Sequence, residues 1–205
     1  MRRQDGFIIA QRNRFDRRDY LAAFIVTHDS RYAHRLFQAG ETRVVIVQRG
    51  DVIRAHPAKM LEVGVTKLEA LIKDCGLYKS KAKNLIATCH ILVEQYHGEV
   101  PREFDQLVEL PGVGRKTANV VVSVLFGTPA IAVDTHVFRV ANRLKLGIAK
   151  TPEEMEQKLQ KAIPKEKWSA AHHWLIYHGR RVCKARKPLC ETCFLHHLCP
   201  SAGKV

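Results

Sequence analysis

Lys116 sits in the stretch Leu110-Pro-Gly-Val-Gly-Arg-Lys-Thr117, where an amine falls inside a turn suited to anions. Pro111 stops the helix that ends at Leu110, Gly112 and Gly114 permit a tight reversal, and a second helix starts near Arg115. The N–H groups of such a turn, and of the helical turn after it, lack intrahelical acceptors and can receive a phosphate oxygen. Lys116 lies where the helix dipole disfavours positive charge, and Arg115 and partial burial would lower its pKa further. A neutral amine is what an imine-forming nucleophile needs. A phosphate-contacting lysine fits the same geometry, and spacing alone does not choose. Asp134, eighteen residues on, immediately precedes a helical pattern and reads as its N-cap.

A second chemistry-bearing group lies near the C-terminus. Cys183, Cys190, Cys193 and Cys199 fall within seventeen residues, whereas Cys75 and Cys89 stand alone. Clustering of this kind in a chain with no signal-peptide core points to a metal or cluster rather than to disulfides. Zinc sites usually carry two tight pairs, and only Cys190 and Cys193 are close; the spacing by itself fits zinc and [4Fe–4S] about equally. Lys184, Arg186 and Lys187 make the loop between the first two thiols strongly basic.

The elements that position these groups read as helices. Apolar periodicity predicts helices over residues 59–75 (with a break near Gly64), 80–96, 101–110, 115–126, 134–144, 152–162 and 167–178, punctuated by Pro and Gly. Arg43–Gln48 is β-branched and reads locally as a strand, and residues 20–26 form an apolar run too short to assign. His172 and His173 are adjacent, so on a helix they point about 100° apart and do not converge on one ion. Trp174 and Tyr177 read as core.

The net charge of +14 favours a polyanionic partner, since neutralising phosphates releases counterions. No run of eighteen apolar residues is present and the N-terminal apolar patch is four residues long, so a cytoplasmic protein is expected. Residues 1–58 hold eleven arginines and no lysine, while the remaining 147 hold seven arginines and sixteen lysines.

LPGVGRKTANVV, followed by IAVDTHVFRVANRL, resembles the endonuclease III family of helix-hairpin-helix glycosylases, and the likeness runs from about Pro57 to Cys199. The resemblance implies an all-α helix-hairpin-helix glycosylase fold of two helical lobes, with a cleft between a helical barrel (18–128) and an iron–sulfur cluster domain (1–17 with 129–205). It implies a bifunctional DNA glycosylase and AP lyase that removes oxidised pyrimidines and cuts 3′ to the abasic site by β-elimination. Lys116 would attack the sugar C1′, and Asp134 would stabilise oxocarbenium character there and help manage the lysine proton. DNA contacts are expected from Gly112, Val113, Gly114 and Arg115, from Arg186 and Lys187 on the cluster loop, and from Leu77 as a wedge. His136 is a candidate pocket residue. Cys183, Cys190, Cys193 and Cys199 would ligate a mainly structural [4Fe–4S] cluster. The implied partner is double-stranded DNA with damaged pyrimidines or abasic sites, met by a monomer at the nucleoid.

The N-terminal third departs from the family pattern. The helix that carries the family's gap-filling glutamine is not found; residues 24–31 lie where it belongs and do not match, and Gln38 and Gln48 stand in other contexts. Divergence, a replaced segment and a reading-frame error all fit this, and the arginine-only composition favours the last two. The competing reading is a non-catalytic helix-hairpin-helix and Fe–S DNA-binding protein.

Overall fold

The computed structural model describes residues 57–73 and 76–205, together with the backbone of 44–48 and 51–55. The expectations for residues 1–17, 20–26, 24–31 and Gln38, and the Cys75 thiol, fall outside the described residues. The strand read from Arg43–Gln48 is present as β1 (Val44–Gln48), which pairs antiparallel with β2 (Asp51–Ala55) from Val44↔Ala55 to Gln48↔Asp51. Among the described residues from 57 onward the chain is helical, as expected. The helices are α1 (Pro57–Leu71), α2 (Tyr78–Tyr96), α3 (Phe104–Val108), α4 (Arg115–Leu125), α5 (Thr135–Leu144), α6 (Pro152–Ala162) and α7 (Trp168–Arg181). None is long and apolar enough to cross a membrane.

The chain forms two compact units, Met1–Val113 and Gly114–Val205. In the first, α1 packs on α2 through Met60, Leu68, Ile72, Ala82, Leu85, Ile86 and Cys89. Gly64, at φ 72° and ψ 165°, breaks α1 where the sequence placed the interruption. Cys89 is fully buried, and desolvation pushes its thiol up to about 12, so it is an inert core residue.

In the second unit α5 packs against α6 and α7 around Ile131, Val137, Val140, Ala141, Met155, Leu159, Ala171 and Leu175. Local sequence fixes the helix starts. Thr151 accepts the Glu154 N–H at 3.2 Å ahead of Pro152 at the first position, and Glu153 and Glu154 complement the dipole of α6. Asp134 caps α5, accepting the Val137 N–H on Oδ1 at 2.8 Å. Helix α4 is buried from Ala118 to Ser123 and again at Leu125, through Ala118, Val120, Val121, Val122 and Leu125 and the polar Asn119 and Ser123, which holds its first turn on a rigid element.

Candidate active site and thiol pocket

The turn before α4 is fixed from α2. Thr88 Oγ1 donates to the Pro111 carbonyl at 3.0 Å, and the Val113 N–H closes the turn on the Leu110 carbonyl at 3.0 Å. Gly112 has φ 76°, and a Cβ there would lie 2.6 Å from Asn84 Nδ2, so both backbone and packing require glycine. Val113 turns its side chain into the core, and its N–H closes the turn on the Leu110 carbonyl.

Gly114 differs from Gly112. It caps α4 at φ −86° and ψ 174°, an ordinary extended conformation, and a Cβ there would meet nothing within 4 Å. The helical ladder begins with Ala118 N–H to the Gly114 carbonyl at 3.0 Å, which leaves the first-turn amides without intrahelical acceptors.

Arg115 departs from the sequence reading. Its guanidinium is bidentate on Glu156, with Nε donating to Oε2 at 2.9 Å and an Nη to Oε1 at 2.8 Å. Its charge is therefore spent on α6 rather than on Lys116. The Lys116 amine is held below the ordinary lysine range, first by burial; the Asp134 carboxylate opposes that shift and the Arg180 guanidinium adds to it. The depressed amine inferred from sequence is present, but the assisting cation comes from α7.

Asp134 thus both caps α5 and acts electrostatically on Lys116. His136, two residues on, packs against α7. Arg139 donates to its Nδ1 at 3.1 Å, and arginine can only donate, so the neutral ring carries its proton on Nε2. Burial first, then Arg139 and Arg180, hold His136 low against the opposing pull of Asp134 and a Gly179 backbone hydrogen bond. Gly179 lets α5 and α7 approach, since a Cβ there would lie 3.0 Å from both His136 Cβ and Val140 Cγ2.

His172 joins the site with no local sequence signal to mark it. It is buried, its Nδ1 donates to the Ala132 carbonyl at 2.7 Å, and its charge couples to Asp134 and Lys116. It therefore braces the extended segment that leads into Asp134. Trp174 and Tyr177 reverse the expectation of a core role: they are 60% and 37% exposed, with Arg181 over the Tyr177 ring. Burial on α7 follows the face turned to α5, not residue type. Leu77 is 81% exposed and starts α2 at φ 59°, a left-handed conformation unusual for leucine.

Cys183, Cys190, Cys193 and Cys199 line one partly open pocket, shared with Arg143, Leu144, His178 and Leu189. All four thiols are unpaired. Among the described residues no three metal-ligating side chains converge on one ion position. A mononuclear zinc needs four donors at about 2.3 Å from one point, whereas a cubane takes one thiolate per iron and needs them spread around it. An all-sulfur set around a shared pocket fits the cluster. Arg143 donates to Cys183 Sγ at 3.4 Å, to the Lys184 carbonyl at 2.7 Å and to the Ala185 carbonyl at 3.2 Å. Arg139 donates to the Cys183 carbonyl at 3.1 Å. Two arginines one turn apart on α5 thereby tie down the start of the basic loop, while Arg186 and Lys187 stay exposed.

Residues 27–165 match the HhH-GPD superfamily of base excision DNA repair proteins, and residues 183–199 match the iron–sulfur binding domain of endonuclease III. Fold and site together define a helix-hairpin-helix repair protein with an iron–sulfur module. The superfamily match reaches back across residues 27–56, where the sequence reading found no family segment. Endonuclease III of Escherichia coli (strain K12) is 54% identical over 149 residues, covering 73% of this chain and 71% of that protein. Endonuclease III of Bacillus subtilis (strain 168) is 52% identical over 152 residues, covering 73% and 68%. The structure of a trapped endonuclease III–DNA covalent intermediate is similar at a TM-score of 0.69 and 51% identity, over 72% of this chain and 70% of that one. The chain belongs to the endonuclease III family. It is a DNA glycosylase and AP lyase and carries a [4Fe–4S] cluster.

Proposed function

We propose that this chain removes oxidised pyrimidines from double-stranded DNA, and opens the resulting or pre-existing abasic sites, through an imine on Lys116. The observation that carries the reading is a half-buried amine in the first turn of the hairpin helix, depressed by burial and coupled to the Asp134 carboxylate. The base must leave the stack before its glycosidic bond is reachable. The neutral Lys116 amine then attacks C1′, the C1′–N bond breaks, and its electron pair leaves with the base, which takes up a proton. Asp134 stabilises the positive charge that develops at C1′. Opening of the sugar ring gives the protonated imine. Loss of a C2′ proton expels the 3′ phosphate by β-elimination, and water hydrolyses the imine to free Lys116. A covalent step of this kind is supported by the trapped intermediate of the similar endonuclease III.

The remaining sites serve binding. The open space at Gly114 supports close approach of the DNA backbone to the first-turn amides of α4, including that of Arg115, with Gly112 keeping the turn tight. Leu77 is the wedge, supported by its exposure. His136 borders the site from the start of α5. Cys183, Cys190, Cys193 and Cys199 ligate the cluster, whose chemistry here is to pin the loop that presents Arg186 and Lys187 to phosphates. The enzyme acts as a monomer in the cytoplasm, at the nucleoid.

Borohydride trapping on duplexes containing thymine glycol or an abasic site tests the reading. The wild-type chain yields a covalent adduct and Lys116→Gln yields none. No adduct from the wild-type chain, or an equal adduct from Lys116→Gln, would sink it; a panel of damaged bases reads the specificity.

A further inference from the structure

We infer that Glu156 is a positioning residue for the Lys116 reaction: its buried carboxylate clamps the first turn of α4 through Arg115 and Asn119. Glu156 is 4% exposed, on a face of α6 it shares with the core residues Met155 and Leu159. A carboxylate in such a place is tolerated only when paired and hydrogen-bonded. Besides the bidentate Arg115 contact, Asn119 Nδ2 donates to Oε2 at 2.9 Å and Gln160 Nε2 to Oε1 at 3.4 Å. Arg115 and Asn119 are one helical turn apart and bracket the turn that contains Lys116.

One carboxylate gripping both ends of that turn fixes the rotation of α4 about its axis. Lys116, the residue after Arg115, is turned by about 100° from the gripped face and so carries its amine toward Asp134 and Arg180. Apolar burial of Ala118, Val120, Val121, Val122 and Leu125 also anchors α4. Buried ion pairs are often no more stabilising than apolar replacements, whereas a reacting atom misplaced by about 1 Å slows chemistry by about a hundredfold. The pair thus contributes orientation. It also commits the Arg115 guanidinium to α6, so Arg115 supplies its backbone rather than its charge to DNA. The inference rests on Lys116 forming the imine.

The test uses the full chain in single-turnover borohydride trapping on saturating abasic-site duplex. Glu156→Gln and Arg115→Gln each slow imine formation about tenfold while the Kd for the same duplex changes less than about twofold, and the double variant is no slower than either single. Arg115→Met/Asn119→Leu/Glu156→Met, which leaves neither a buried charge nor an orphaned Asn119 amide, keeps the melting temperature and visible absorbance and is equally slow. Hydrogen exchange at the Ala118 and Asn119 amides is faster in Glu156→Gln. Wild-type trapping rates in the variants, or a rate loss matched by equal losses of affinity and melting temperature, would overturn the clamp. A wild-type chain that does not trap overturns the imine reading instead, and unchanged exchange at Ala118 and Asn119 overturns the clamp on its own.

Discussion

Asn84 Nδ2 lies 2.6 Å from where a Cβ on Gly112 would stand, while a Cβ on Gly114 would meet nothing within 4 Å. Two glycines that look equivalent in sequence therefore answer to different constraints. Gly112→Ala meets a clash and a positive φ and is expected to lose about 1–3 kcal/mol of stability. Gly114→Ala keeps an allowed backbone and costs no more than about 1 kcal/mol, the difference between glycine and alanine at an N-cap. Its methyl instead occupies space offered to the DNA backbone, and abasic-duplex affinity falls about tenfold through loss of a charge-assisted contact. Melting temperature against Kd separates the two: Gly112→Ala moves mainly the first, Gly114→Ala mainly the second.

Asp134 combines a cap with a charge, and one substitution divides them. Asparagine caps a helix as well as aspartate does, so Asp134→Asn keeps the Val137 hydrogen bond and the melting temperature. The single-turnover rate falls about a hundredfold, within the range for a lost acid–base or electrostatic group. The pH profile moves as well. The carboxylate opposes the burial that depresses Lys116, so removing its charge lowers the amine further and shifts the rising limb of imine formation to lower pH. Asp134→Ala also loses the cap, about 1 kcal/mol, and melts lower. An unshifted limb in Asp134→Asn would mean that the carboxylate does not act on the amine.

These sites differ in how far the sequence disclosed them. The Gly64 break, the α6 start at Thr151–Pro152 and the Asp134 cap are written in adjacent residues, because caps and breakers act within one helical turn. Glu156 was not legible, since its partners lie 37 and 41 residues away and a glutamate on a charged helix looks solvated. The exposure of Trp174 and Tyr177 was not legible for the same reason: both lie on α7, and only the packing of α5 decides which face is covered. The four thiols were obvious by type, yet the Arg139 and Arg143 contacts that tether their first loop cross more than 40 residues.

Arg186 and Lys187 stay exposed on a loop tethered by Arg143 and, when loaded, by the cluster. If both reach phosphates, Arg186→Ala/Lys187→Ala weakens binding to damaged and undamaged duplex alike. The slope of log affinity against log salt shrinks by about 2, one for each lost phosphate contact. Cys190→Ala is expected to abolish the broad visible absorbance and reduce the slope similarly, since an untethered loop no longer presents its charges. A full slope in the double alanine variant would place the phosphate contacts elsewhere.

His172 supplies the last prediction, because burial depresses it from 6.5 to about 4. The hydrogen bond to the Ala132 carbonyl opposes that shift and does not offset it. Between those values the unfolded chain binds a proton that the folded chain refuses, so stability rises with pH across the window and is lost as pH falls from 6.5 toward 4. Between pH 7 and pH 5 the loss is about 2 kcal/mol, equivalent to about 4–8 °C in Tm for a chain of this size. His172→Gln melts lower at pH 7, because it weakens the brace on Ala132, and it lacks this component of the pH dependence. Melting curves of both chains at pH 7, 6 and 5 should therefore converge as pH falls. Parallel curves would show that His172 titrates normally and that the segment leading to Asp134 is held by other contacts.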